Sequence, residues 1–226
     1  MEIVKSRCII LKKKEFNEAD LMTVVFSEKL GKISGMAFGI RKSRKRNPVE
    51  LNPLSVVEIT FQKRKDYFSI IETEIVKTFK NILKDIEKLE ISLYILDSVN
   101  KLYDMSYENG EFFRKMENML EYIDGVKEMT EGYKYYIILT FLRRLMLEQG
   151  IYDPEEISEK LGCQLLEKYT ELVTIYKKNK ENPSILRKEF EKNLYFLKKI
   201  VIIFERYINE NLQVKLEIRK IIMEDL

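Results

Sequence analysis

The stretch LMTVVFSEKLGKISGMAF, residues 21–38, holds the pattern that decides the fold of the N-terminal third. Residues 21–27 are compact and rich in β-branched side chains, which favours a strand. Residues 27–32 then form a turn in which Gly31 can adopt a positive φ, and residues 33–38 follow as the next strand. The stretch therefore predicts a β-hairpin.

Three further segments extend this hairpin into a five-stranded unit. Residues 6–13 share its β-branched character and precede it, and residues 56–62 alternate apolar with polar side chains, which is typical of a strand with one solvated face. Residues 68–73 form the fifth strand. Because five short strands occur within about 75 residues without helical periodicity between them, the sequence predicts a small closed barrel, for which the five-stranded OB-fold is the natural candidate.

From Phe79 onward, apolar residues recur at the spacing of a helix. One helix or two are predicted from Phe79 to about Tyr103, and an apolar central helix over residues 133–149. The other predicted helices cover residues 112–123, 155–161, 165–178, 184–208 with Ser184 as the N-cap, and 214–222. We therefore predict an α+β protein with an OB-fold domain over residues 1–78 and an all-α helical domain over residues 79–226.

Charge is distributed unevenly between these predicted domains. The chain carries a formal net charge of +3, yet residues 1–78 alone hold 16 Lys+Arg against 10 Asp+Glu. The remainder is therefore net negative. A basic module on an acidic helical body suggests that the module has a polyanionic partner.

The positive charge is concentrated in residues 39–46, between the third and fourth predicted strands. In an OB barrel, such loops flank the groove that holds a single strand, and cations there displace condensed counterions from phosphates. A second basic run lies between the fourth and fifth strands. The predicted DNA-binding residues are Arg41, Lys42, Arg44, Lys45 and Arg46 in the first segment and Lys63, Arg64 and Lys65 in the second.

Aromatic side chains beside these segments could add base stacking. The candidates are Phe38, Tyr67 and Phe68. Because Phe38 and Phe68 lie in predicted strands, we expect both in the core, and we expect only Tyr67 to be exposed.

The residues available exclude several kinds of enzyme. The absence of histidine excludes Ser-His-Asp and Cys-His catalysis and the usual zinc hydrolase sites. Acidic residues have the spacing of solvated helix faces, and two cysteines, Cys8 and Cys163, provide neither a disulfide framework nor a four-ligand zinc site. We therefore expect a non-enzymatic protein without a metal or cofactor.

The sequence also predicts a cytoplasmic protein with no membrane partner. The first apolar run, residues 8–11, is too short for a signal peptide, and the most apolar segment, residues 135–147, is interrupted by Arg143 and Arg144. Arginines in an otherwise apolar helix need a partner. An apolar groove edged by Arg143 or Arg144 is thus a candidate site for an acidic, hydrophobic protein tail, although the nearby Met and aromatic residues are also explained as core.

Short segments along nearly the whole chain, taken in order, resemble those of the RecO family of bacterial recombination mediators. They are residues 9–12, 17–20, 26–33, 38–41, 51–55, 204–212 and 216–220. The resemblance implies an N-terminal OB-fold, a C-terminal helical domain and a nucleoid-associated role in repair of DNA damage. It also implies binding of single- and double-stranded DNA, annealing of complementary strands, and, with RecR, assistance to RecA in loading onto DNA coated by single-stranded-DNA-binding protein, whose acidic tail family members bind.

One departure from the family concerns metal. Many RecO-like chains carry a four-cysteine zinc ribbon after the central helix, whereas residues 150–169 contain Cys163 as their only cysteine. A single thiol cannot close a zinc site. We therefore predict that helical sequence replaces the ribbon and that the DNA and partner roles are unaffected.

Two other functions stay open at this point. The barrel could be a protein-interaction adaptor whose basic loop contacts an acidic partner, in which case the protein binds DNA only weakly. It could also belong to a carboxylate-metal nuclease, which predicts magnesium-dependent cleavage but requires a tight acidic cluster that the sequence does not show.

Overall fold

The computed structural model describes residues 2–65, 67–106 and 108–218. Its strands are β1 (Ile3–Phe16), β2 (Asp20–Ser27), β3 (Gly31–Ala37), β4 (Ser55–Lys63) and β5 (Phe68–Thr78). They form a closed barrel in the order β1-β2-β3-β5-β4, in which β4 also pairs with β1. Only β3 and β5 run parallel. The predicted five-stranded OB-fold barrel is confirmed.

The β2–β3 hairpin has the predicted form, because Gly31 has a φ of 65° and pairs with Ser27 at the turn. Two other strands are longer than predicted. Strand β1 continues beyond residue 13 to Phe16, and β5 continues to Thr78. A β-bulge between Ile10 and Lys12 interrupts the regular pairing of β1, so that the second half of this strand has a different alternation from the first.

The barrel interior is filled by alternate apolar residues from its strands. Ile10, Val25 and Ile33 are at most 2% exposed, and the predicted alternation in β4 places Ile59 and Phe61 in the same core. Fully burying a side chain of this size contributes about 1.5 to 3 kcal/mol. Burial of these inward-facing side chains therefore stabilises the closed barrel.

Two helices follow the barrel, α1 (Ile86–Leu102) and α2 (Gly110–Gly125), after a 3₁₀ turn at Ile82–Lys84. The turn is separate from α1 because the Asp85 carboxylate accepts hydrogen bonds from the first backbone N–H groups of that helix. On the outside of the barrel, the Phe26 ring contacts Tyr103 and Phe112 edge-on, at 5.3 and 5.6 Å between centroids. These helices cover part of the outer surface of β1 and β2.

The remaining helices are α3 (Glu131–Glu148), α4 (Pro154–Asn179), α5 (Pro183–Lys192) and α6 (Leu194–Leu212). Helix α3 packs against α5 and α6, as predicted for a central helix. The helices predicted over 155–161 and 165–178 are both present within α4, and they are separated at Gly162, whose φ of 67° and ψ of 170° are not helical. Helix α4 begins at Pro154, so the region after the central helix is helical, as predicted.

The prediction of one long helix over 184–208 is wrong. It is divided into α5 and α6 at Asn193, whose side-chain amide donates to the Glu189 carbonyl and competes with the regular helical bonds. Asn182, not Ser184, holds the N-cap position of α5, and the Ser184 hydroxyl donates to the Asn182 side chain at 2.7 Å. Residues 214–217 are not helical, and the end of the predicted helix at 219–222 lies outside the described residues.

The chain divides into two compact units, residues 1–126 and 127–226. The first contains the barrel with α1 and α2, and the second contains α3 to α6. Strands give way to helices after Thr78, but the domain boundary at 78/79 stays a prediction. Across the described ranges, no helix is long and apolar enough to cross a membrane.

Candidate nucleic-acid interface

Part of the outer barrel surface, formed by β1, β2 and β3, is open to solvent. Directly opposed residues of neighbouring strands project to the same side, and here Lys14 pairs with Met22, which pairs with Met36. Because of the bulge before Lys12, the side chains of Lys12, Lys14 and Phe16 at the end of β1 project to this side as well. We call this surface the open face; its residues are Lys12, Lys14, Phe16, Met22, Val24, Ser34, Met36 and Phe38, all half-buried or exposed.

The first basic segment lies at the edge of the open face and is tied to the β1–β2 turn. Gly39 leaves β3 with a φ of 64°, and its backbone N–H donates to the Asp20 carboxylate at 2.7 Å. The Arg41 backbone N–H donates to the Ala19 carbonyl at 3.0 Å, and Ile40 inserts its side chain into the barrel core. The segment is therefore held in place from both the turn and the core.

The cations of this segment fall into two groups. Arg41 forms an ion pair with Glu15, and Lys42 one with Glu18, each at 2.9 Å, so both cations already have a carboxylate partner. By contrast, Arg44 and Lys45 are exposed.

The Ser43 hydroxyl supports this second group. It accepts hydrogen bonds from the backbone N–H groups of Lys45 and Arg46, at 3.1 and 3.0 Å. No described residue forms an ion pair with Arg44 or Lys45. Arg44 and Lys45 are thus the residues of this segment that are best placed to meet phosphate.

The second basic segment approaches the same edge. Lys63 lies at the end of β4 with its Nζ 3.5 Å from the Glu2 carboxylate, and Lys65 is exposed. The Arg64 backbone N–H donates to the Tyr67 carbonyl at 2.9 Å and closes the turn. The Tyr67 ring then contacts the Phe38 ring, with 6.0 Å between centroids and 67° between planes.

The structure corrects one of the three aromatic expectations. Phe38 is 43% exposed, so its predicted core position is wrong, because it follows the last paired residue of β3 on the outward side. Tyr67 is also 43% exposed, as predicted. Phe68 packs against the barrel core and lies 5.9 Å from the Phe61 ring, as predicted.

Lys12, Lys14 and Phe16 of the open face are not among the residues predicted from the sequence to bind DNA. A signal is present, since three consecutive lysines and a phenylalanine follow the apolar part of β1. It does not by itself show which of these side chains share a face, because that depends on the bulge between Ile10 and Lys12. The Lys13 side chain is not part of this face and donates to the Asn52 side chain.

The side of the barrel formed by β4 and β5 carries acidic and basic residues together. A groove of about 390 Å³ along these strands is lined by Glu50, Glu58, Glu72 and Glu74 and by Lys5, Lys45 and Arg46. Lys5 forms an ion pair with Glu58 at 2.6 Å. The first basic segment therefore extends from the edge of the open face to this groove.

In the second compact unit, Arg143 has partners, as predicted, in the side chains of Tyr152 and Tyr169. Its guanidinium lies 5.1 Å from the centre of the Tyr152 ring. Burial lowers the pKa of Arg143, but hydrogen bonds with the hydroxyls of Tyr152 and Tyr169 more than compensate, so that this pKa is raised overall. Arg144 is half-buried on the same helix. Their role in binding a protein tail stays a prediction.

The two cysteines differ in solvent exposure: Cys8 is buried in the barrel, and Cys163 is exposed on α4. In the part of the chain that the structure describes, no group of three or more Cys, Asp or Glu residues could hold a metal ion.

The fold and this surface define the class of protein: an OB-fold barrel with a basic, partly aromatic open face, followed by helices. Comparisons with known proteins show which family its N-terminal part is similar to. Residues 1–79 match the family model described as recombination protein O, N terminal.

Several relatives named DNA repair protein RecO are similar over a longer region. The protein of Thermoanaerobacter sp. strain X514 is 26% identical over 127 residues, which cover 56% of this chain and 51% of the relative. That of Clostridium acetobutylicum is 35% identical over 117 residues, 51% of this chain and 45% of the relative. That of Clostridium perfringens is 26% identical over 152 residues, 67% of this chain and 60% of the relative.

Residues 1–79 of this chain therefore match the N-terminal part of the RecO family, and the chain is similar to relatives named DNA repair protein RecO. It spans about half the length of the curated relatives it matches.

Proposed function

We propose that this protein binds DNA through the open face of its barrel and acts as a recombination mediator in DNA repair. One observation carries the proposal: exposed cations from β1, the first basic segment and the second basic segment meet at one side of an OB barrel. The names of the relatives support the repair role.

The mechanism is electrostatic capture of the sugar-phosphate backbone. The cations that contact phosphate are Lys12, Lys14, Arg44, Lys45 and Lys65, which are exposed. Each contact releases condensed counterions and lowers the repulsion between two strands, so that complementary strands can anneal. Arg41 and Lys42 act differently, because their ion pairs hold the segment to β1 and the β1–β2 turn.

The finer activities follow from this mechanism and the family. The protein binds single- and double-stranded DNA and, with RecR, assists RecA in loading onto DNA coated by single-stranded-DNA-binding protein. Contact with the acidic tail of that coat protein falls to the helical unit, for which Arg143 and Arg144 are the candidates. None of these steps requires a catalytic group.

A matched pair of double variants tests the DNA-binding part. We expect R44Q/K45Q to weaken binding to a mixed-sequence single strand and to make the logarithmic salt slope shallower by roughly 1.4, because two phosphate contacts are lost. The control K80Q/K84Q removes the same charge from two exposed residues just before α1 and leaves the slope unchanged. Fluorescence anisotropy at several salt concentrations measures both.

Equal salt slopes for the two variants would refute this role of Arg44 and Lys45. Failure of the unchanged protein to bind DNA at low salt would favour the adaptor instead. Strand annealing measured with and without single-stranded-DNA-binding protein tests the mediator role, since an adaptor without DNA contact cannot accelerate it.

A further inference from the structure

Phe38 and Tyr67 combine exposed rings with fixed backbones. Each ring is 43% exposed. Burying an aromatic side chain is strongly favourable, so a ring left at the surface forgoes part of that stabilisation. The two rings contact each other across the strand ends, which brings residues from two separate loops into one exposed aromatic patch.

The backbone on both sides of Phe38 is held by hydrogen bonds. The N–H of the next residue, Gly39, donates to the Asp20 carboxylate, and the carbonyl of Phe38 itself accepts from the Arg46 guanidinium. The Tyr67 carbonyl accepts from the Arg64 N–H within its own turn. Ring exposure on a fixed backbone is the arrangement expected of a preorganised contact, because little conformational entropy is lost when a ligand binds.

The charges around the patch indicate its ligand. Lys65 lies two residues before Tyr67, and the first basic segment starts directly after Phe38. A ligand that fits this patch therefore has a flat apolar surface that covers the rings and a negative charge that lies beside the cations. Unpaired nucleotides have both features, since every base has a π-face and every linkage a phosphate.

We propose that Phe38 and Tyr67 stack on unpaired bases and thereby give the open face its preference for single strands over duplex. This inference rests on the proposed DNA binding. Phosphate contacts are available in both forms of DNA, but base faces are covered by neighbouring pairs in a duplex. The cations therefore contribute affinity to either form, whereas the aromatic pair adds affinity only for single strands.

Three probes of one length separate stacking from charge: a mixed-sequence single strand, the same strand with a central abasic tract, and the corresponding duplex. We expect the unchanged protein to bind the complete single strand about 10-fold or more tightly than the abasic strand. F38L/Y67L should bind these two strands equally. Its affinity for the duplex and its salt slope should each stay within about two-fold of those of the unchanged protein.

The matched control is Y122L, which removes a ring of the same 43% exposure from α2 and should keep the full preference. Circular dichroism and thermal unfolding establish that each variant is folded, and the single variants F38L and Y67L replace the double variant if it does not fold. F38Y/Y67F retains both rings and should keep the preference.

Two negative outcomes have different meanings. If the unchanged protein binds DNA but does not distinguish complete from abasic strands, or if F38L/Y67L still does so, stacking is refuted and the electrostatic function stands. If the unchanged protein binds none of the three probes, the proposed function itself is refuted.

Discussion

Single residues in the first basic segment differ in role despite equal charge. Arg41 contacts Glu15 and the carbonyls of Asn17 and Glu18, and these contacts organise the β1–β2 turn. Exposed ion pairs contribute only about 0 to 1 kcal/mol, so a charged residue there has little effect on stability. In our proposal the exposed Arg44 therefore contacts phosphate, whereas Arg41 positions the loop.

Cys8 and Cys163 give a residue-scale prediction about the barrel core. Cys8 is 0% exposed, and burial raises the pKa of its thiol, so the reactive thiolate is both scarce and inaccessible. We expect a thiol reagent to modify Cys163 rapidly in the native protein and Cys8 at least about 1,000-fold more slowly, because access to Cys8 requires unfolding of the barrel.

The C163S variant isolates the slow thiol. It should show no rapid reaction in buffer and one thiol per chain in denaturant, followed by the absorbance of the released reagent. Rapid modification of C163S in buffer would mean that the barrel core is accessible.

At the scale of elements, the backbones of α3 and α5 approach each other closely at Gly132. A Cβ added at Gly132 would lie 2.5 Å from the carbonyl carbon and oxygen of Phe190 and 2.6 Å from the backbone nitrogen of Glu191. Backbone atoms cannot move aside as a flexible side chain can. Only glycine therefore allows these two helices their present separation.

Replacing Gly132 by alanine should lower the free energy of unfolding by about 2 to 3 kcal/mol, because the two helices are forced apart. Urea denaturation measures the change. The control is G125A at the end of α2, where no heavy atom lies within 4 Å of the added Cβ. It should change stability by less than about 1 kcal/mol. Equal stability of the two variants would contradict the close packing of α3 on α5.

For the whole molecule, Tyr136 and Tyr169 of the helical unit contribute to the response to alkaline pH. Tyr136 stacks on Phe190 at 4.0 Å, and Tyr169 packs edge-on against Phe204 at 5.6 Å. Burial raises the pKa of Tyr136 above the ordinary range and that of Tyr169 to about 12. Both groups thus bind their protons more tightly in the folded state than in the unfolded state.

The sign of the pH effect follows from this difference. The stability that these tyrosines contribute is complete below their unfolded pKa of about 10 and is lost as the pH rises through the folded values. We expect helix content to fall between about pH 10 and pH 12, together with a late phase of tyrosinate absorbance. Y169F should move this transition to higher pH. Complete tyrosine ionisation near pH 10 with unchanged circular dichroism would contradict the prediction.

The sequence by itself determined the architecture, because the signals concerned are local. Strand alternation, the glycine turn at Gly31 and the change to helical periodicity near Phe79 each depend on residues that are close in the chain. Irregularities inside a strand or helix are predicted less reliably from the periodicity of the sequence. The β1 bulge and the break at Asn193 are not visible in the periodicity, whereas the kink at Gly162 lies in the gap predicted between two helices.

Only the tertiary structure decided which residues form the candidate site. Arg41 meets Glu15, and the Phe38 ring meets Tyr67, through contacts between residues that are distant in the chain. Composition counts five cations in the first basic segment, but barrel closure determines which of them meet a carboxylate. A residue's charge is a property of its side chain, whereas its availability to a ligand depends on what the fold places beside it.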